Sequence, residues 1–128
     1  MPLMGPQPGA ALQTIAMPAD TNANGDIFGG WLMAQMDLGA SVLARSLADG
    51  RVATVAVNDI LFQSPVHVGD VVSIFPTTLE TGRTSITLDV KVRRYNAETR
   101  DERQVAEARI VFVAIDNEGR PRPLPEPS

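Results

Sequence analysis

The sequence predicts an α+β domain in which a strongly curved antiparallel sheet wraps round one long helix. Three observations lead there. One stretch, from Gly29 to about Leu47, carries the apolar residues Met33, Met36, Ala40, Leu43, Ala44 and Leu47 at helical spacing. After it come segments rich in β-branched residues, separated by short turns. A single short strand precedes the helix, so helix and strands are segregated along the chain.

Each element has its own signal. Residues 1–9, MPLMGPQPG, read as a flexible lead-in, and residues 10–17 as a first strand ended by Pro18. Residues 18–28 are rich in Asn, Asp and Gly and read as turns. The helix that follows would be about 28 Å long at 1.5 Å per residue, and Asp49-Gly50 supplies its glycine stop. Residues 51–66 are almost continuously apolar, which suggests a strand covered on both faces. HVGD (67–70) is a turn, and 70–82 is a strand in which Pro76 marks a bulge or an edge. In the strand 85–94, Ile86, Leu88, Val90 and Val92 alternate with polar residues. In 103–116, Ala106, Ala108, Ile110, Phe112 and Ala114 share a face whose alanines let a helix approach closely. The domain is thus expected over 10–118, followed by an extended proline-rich tail over 119–128. A second apolar parity in the last strand (Val105, Val111, Val113, Ile115) leaves surface to cover, so self-association is expected.

Composition narrows the function classes. Eleven basic against fifteen acidic residues give a net charge of −4, so nothing favours nucleic acid or an anionic membrane as partner. No apolar run reaches membrane-span length, so no membrane insertion is expected. With no cysteine there is no disulfide, thiolate nucleophile or Cys-based metal site, which suits a reducing cytosol. The one histidine, His67, lies in a turn, far from the helix. Chemistry that pairs a histidine with an acid near that helix is disfavoured, as is a Ser-His-Asp triad.

Asp37 is the residue that asks for an explanation. It lies two turns into the helix among Met33, Met36 and Ala40, and burying a carboxylate costs several kcal/mol. Either it bonds a backbone amide or hydroxyl as part of the structure, or it does chemistry. A carboxylate in a poorly hydrated cleft serves as general base or nucleophile. Nearby, a helix N-terminus presents unpaired N–H groups to a developing oxyanion, and Gly29 and Gly30 let a substrate approach that backbone. By default Asn24 and Asp26 are turn and capping residues, and Trp31 is packing. From Gly30 to Asp37 is about 10 Å along the helix. One carbonyl does not reach both, whereas the N-terminus of one helix and the Asp37 of another do if two chains face each other.

The stretches TIAMPADTNANGDIFGGWLMAQMDLGA and GRVATVAVNDILFQSPVHVGDVV, with GRTSITLDVKVRR and VAEARIVFVAIDNEGRPRPLP, closely resemble the YciA-type acyl-CoA thioesterases of the hotdog fold. The resemblance covers all but the first nine residues. It implies a hotdog fold, dimers joined sheet edge to sheet edge, and a trimer of such dimers. It also implies hydrolysis of acyl-CoA to a fatty acid and coenzyme A, with no metal and no cofactor beyond the coenzyme A of the substrate. Asp37 matches the catalytic carboxylate, and Asn24 and Asp26, just before IFGG, become candidates for placing substrate or water. Phe28, Gly29, Gly30, Arg93 and Arg94 become candidates for binding the substrate, the arginines through its phosphates. The hotdog fold also serves non-enzymatic acyl-CoA sensors, the competing class. Against that class stand the negative charge and the retained acid.

Overall fold

The computed structural model describes residues 9–126, so residues 1–8 of the lead-in and 127–128 of the tail lie outside the described part. In chain order it contains β1 (Leu12–Ile15), a 3-10 turn (Pro18–Asp20), α1 (Gly29–Ala48), β2 (Val52–Phe62), β3 (Val71–Thr81), β4 (Ser85–Tyr95) and β5 (Glu102–Ala114). The strands form one antiparallel sheet in the order β1-β3-β4-β5-β2. The helix contacts all five strands. Five strands side by side span about 19 Å, roughly twice a helix diameter, so the sheet must curl round α1 to keep every strand in contact.

The core lies between α1 and the concave face of the sheet. Ile86, Leu88, Val90 and Val92 of β4 are fully buried there, with Ala106, Ala108, Ile110, Phe112 and Ala114 of β5. From the helix come Leu32, Met36, Ala40, Ala44 and Ala48, every fourth residue. That stripe is rotated from the expected one, for Met33 and Leu47 are turned towards solvent. Small residues bring the two layers together. A Cβ built on Gly39 would lie 2.7 and 2.8 Å from Cγ2 and Cβ of Ile74.

Several expectations need correction. The left-handed residue that ends α1 is Asp49 (φ 53°), not the glycine. Gly50 is favoured next by its own backbone, whose φ of 148° residues with a side chain rarely adopt. Strand β2 stops at Phe62 rather than Val66. The amides of Gln63 and Ser64 both turn to the carbonyl of Val105 (2.8 and 3.3 Å), and Pro65 has no N–H to continue the ladder. Nor is β2 covered on both faces. It pairs only with β5, and Val55, Leu61 and Phe62 are more than half exposed. Pro76 does occupy an edge, since β1 pairs with Val71–Ile74 of β3 and goes no further.

The proline-rich segment belongs to the fold for most of its length. Ile115 bridges to Pro121, Arg122 donates its N–H to the Ala114 carbonyl (2.9 Å), and Leu124 donates to that of Arg83 (2.9 Å) while packing on the core. At the far end of the sheet, Asp70 is fully buried. It accepts hydrogen bonds from the His67 amide (2.9 Å) and Asn96 Nδ2 (2.8 Å).

Candidate active site

The loop before α1 is organised by Asn22. Its Oδ1 accepts the amides of Asn24 (2.9 Å) and Asp26 (3.1 Å), while its own amide donates to the Asp26 carbonyl (2.7 Å). Asn24 and Asp26 are exposed on that turn, and Asp26 caps nothing. The N-cap is Phe28, which has no side-chain acceptor to offer. Phe28 is pinned by its amide to the Asp20 carbonyl (3.1 Å), and Ile27 by its amide to that of Val66 (3.4 Å). The first amide satisfied within the helix is that of Leu32, to Phe28 (3.2 Å). The amides of Gly29, Gly30 and Trp31 therefore have no acceptor among the described residues. A Cβ on Gly30 would meet nothing within 4 Å, so the backbone at that residue is open to approach.

Asp37 is half-buried rather than enclosed, because α1 turns its flank towards the open β2 edge. There Thr54 Oγ1 donates to Asp37 Oδ1 at 2.6 Å. The other oxygen, Oδ2, accepts no hydrogen bond from the described residues. The carboxylate is thus held from one side and offered from the other. Thr54 was not foreseen, since only the long-range docking of β2 beside α1 puts it there.

The arginines sit elsewhere. Arg94 is 8% exposed, held by Asp101 (Nη2 to Oδ2, 2.9 Å) and near Asp70 (Nε to Oδ2, 3.9 Å). It faces the core parity because it closes this buried network. Hydrogen bonding from Arg103, backed by the charges of Arg103 and Arg94, holds the Asp101 carboxyl below its usual range against a desolvation effect in the other direction. Arg93 points to the opposite face, pairing with Glu102 (3.1 Å) beside Gln13, Ser73 and Tyr95. On β5, Arg94 is opposite Arg103 and Thr54 is opposite Phe112. Nine residues of strand separate them, about 30 Å. One chain does not bring Arg93 or Arg94 to its own Asp37. His67 is exposed in its turn, as expected, and Arg83 serves the tail through its carbonyl.

What remains is a carboxylate with one free oxygen, and a helix N-terminus with three free donors beside a cleft formed with residues 62–66. A carbonyl can be polarised at the donors, and a water or the carbonyl carbon attacked at the carboxylate. The family model of the thioesterase superfamily matches residues 24–100. The acyl-CoA thioester hydrolase YciA of Salmonella typhimurium is 50% identical over 123 residues, covering 94% of this chain and 92% of that one. Among solved structures, HI0827, described as a hexameric broad specificity acyl-coenzyme A thioesterase and crystallised as an aspartate-to-alanine mutant, superposes with a TM-score of 0.89. It is 47% identical, with coverage of 91% of this chain and 86% of that one. An acyl-CoA hydrolase from Staphylococcus aureus, in complex with butyryl coenzyme A, coenzyme A and coenzyme A disulfide, superposes with a TM-score of 0.81 at 29% identity, covering 89% and 70%. Mutants of that hydrolase carry an aspartate-to-alanine and an asparagine-to-alanine change, at positions fifteen residues apart. The match over most of its length places this chain in the thioesterase superfamily, among the YciA-type acyl-CoA thioester hydrolases with the hotdog fold.

Proposed function

We propose that the chain hydrolyses acyl-CoA thioesters to a free fatty acid and coenzyme A at a site shared between two subunits. The observation that carries this reading is Asp37, fixed at Oδ1 by Thr54 and free at Oδ2. As general base, Oδ2 takes a proton from water, which adds to the thioester carbonyl carbon. The oxyanion that forms accepts hydrogen bonds from the free amides at Gly29 and Gly30 of the facing chain. The carbonyl then re-forms as the C–S bond breaks, and the proton taken up by Asp37 is given to the departing sulfur, which leaves as the thiol. In the nucleophilic variant, Oδ2 adds first and water hydrolyses the resulting anhydride. One oxyanion donor is worth roughly 10²–10³ in rate.

Among the loop residues, the reading now favours Asn22 over Asn24 and Asp26 for placing the thioester. Asn22 and Asp37 are fifteen apart, the separation of the two altered positions in the Staphylococcus aureus hydrolase. Its Oδ1 is engaged by the loop, and its Nδ2 donates to none of the described residues. Phe28, exposed at the N-cap, flanks the same donors.

Assembly follows from the same geometry. The unpaired edge of β2 would join its copy, and three such dimers would give a hexamer, the state named for HI0827. Arg93, only singly paired, would then meet coenzyme A phosphates at a site belonging to another subunit, while Arg94 holds its network. No cofactor enters this scheme, and the reaction suits a cytosolic enzyme. Among the described residues, no helix is long and apolar enough to cross a membrane.

Replacing Asp37 by Asn tests the reading with butyryl-CoA, following thiol release alongside binding. The expected result is a fall in kcat of about 10²-fold or more with binding retained. A variant that keeps its rate would remove Asp37 from the chemistry. Binding without turnover in both proteins would leave an acyl-CoA sensor instead.

A further inference from the structure

Phe62 ends β2 with its ring about half exposed, although the residue lies beside the most glycine-rich part of the helix. The ring tip packs on Gly29: a Cβ there would be 3.3 Å from Cζ and 3.6 Å from both Cε atoms. Ile27, Leu32, Pro65 and Val66 line the apolar side of a cleft around the same spot, and Gln63 and Ser64 line its polar side. The ring is also anchored from behind. Phe62 pairs with Ala106, and the next two amides both bond the Val105 carbonyl, so the backbone that carries the ring is fixed on β5. The ring has no room towards the helix, where even an alanine at position 29 would crowd it. On the other side of it the Gly30 backbone is open.

From this juxtaposition we infer that Phe62 is a specificity-determining residue, a fixed apolar wall that admits straight acyl chains and rejects branching at the carbon next to the thioester carbonyl. The inference rests on the hydrolase reading. A carbonyl oxygen bonded to the Gly29 or Gly30 amide lies about 3 Å from that nitrogen, which puts the adjacent carbon against the ring. A hydrogen on that carbon fits beside the wall, whereas a methyl group in its place must share the ring's volume. The first carbons of a linear chain run past the ring along the apolar side of the cleft, over Ile27, Leu32 and Val66. The wall also keeps water away from the donors, so their hydrogen bonds act in a drier setting.

The test compares kcat/KM for butyryl-CoA and isobutyryl-CoA, isomers that differ in shape but not in atoms. Wild type, Phe62→Leu and Phe62→Ala are measured, with a thermal melt to confirm each fold. Comparing the ratio between proteins cancels the intrinsic difference in reactivity of the two esters. The wild type is expected to favour butyryl-CoA by about tenfold or more, the scale set by one misplaced methyl group. Phe62→Ala is expected to shrink that ratio by about tenfold, with Phe62→Leu between. If a folded Phe62→Ala loses or keeps rate on both isomers in step, or the wild type shows no preference, the ring is packing only and the proposal falls while the hydrolase reading stands. If the wild type releases thiol from neither isomer, the hydrolase reading fails and the proposal goes with it.

Discussion

At the scale of single residues, the geometry of Asp37 depends on one hydroxyl. Thr54 fixes Oδ1 at 2.6 Å and thereby decides which oxygen faces the substrate. Thr54→Val keeps the shape and removes the bond. Its expected effect is a fall in kcat of roughly tenfold, the rate equivalent of one hydrogen bond worth about 1.4 kcal/mol, with KM little changed. Thr54→Ser should recover most of the rate, and an unaltered kcat in Thr54→Val would show that Asp37 orients itself. Asp37 itself was legible in the sequence, because an acid on an apolar helical stripe has few explanations. Its burial was overestimated, since the flank of the helix it occupies faces an open sheet edge rather than the core. Thr54 and Phe62 were not legible as site residues. Both depend on how β2 docks against a helix that precedes it in the chain. Asn22 stands beside Asn24 and Asp26 in the sequence, and only the closed loop reveals which side chain gathers the amides of the others.

At the scale of elements, α1 and the sheet are held as close as their smallest residues allow. Two effects compete at Gly39. Alanine there would gain about 1 kcal/mol of helix propensity, but its Cβ would meet the branched base of Ile74 at 2.7–2.8 Å, not the free end of a flexible side chain. Overpacking a core costs about 1–3 kcal/mol. Because the clash is with a branched, fixed group, it wins, and Gly39→Ala should lower the urea midpoint by an amount equal to up to about 2 kcal/mol of net stability. A raised midpoint would mean that α1 can move away from β3 at no cost. The helix limits and the strand order along the chain were legible because periods of 3.6 and 2 report directly on what an element buries. Element ends were less legible. β2 stops where two amides turn to one distant carbonyl, and the proline-rich segment is tied down by backbone bonds to Ala114 and Arg83. No local pattern encodes either.

At the scale of the whole molecule, the curved sheet was foreseen from one helix and an excess of strands, whereas the cover expected on both faces of β2 is not supplied by the single chain. A continuous apolar run says that a strand is covered, not by what. In the single chain its outer edge is bare, with Val55 and Val57 exposed along it and Leu38 and Val42 exposed on the helix. That bare edge makes catalysis subject to mass action. If the donors of one chain serve the carboxylate of another, a lone chain holds two half-sites and no whole one, and rate per chain should fall on dilution below the dissociation constant of the pair. A substrate that touches both chains binds only the pair, and so holds it together by RT ln(1 + [L]/Kd). Specific activity measured across a dilution series, with samples pre-equilibrated with or without coenzyme A, should decline later where the ligand is present. A flat series down to nanomolar protein, with single chains seen by light scattering, would give each chain a complete site of its own. Acyl-CoA would otherwise be both the substrate of this enzyme and part of its glue.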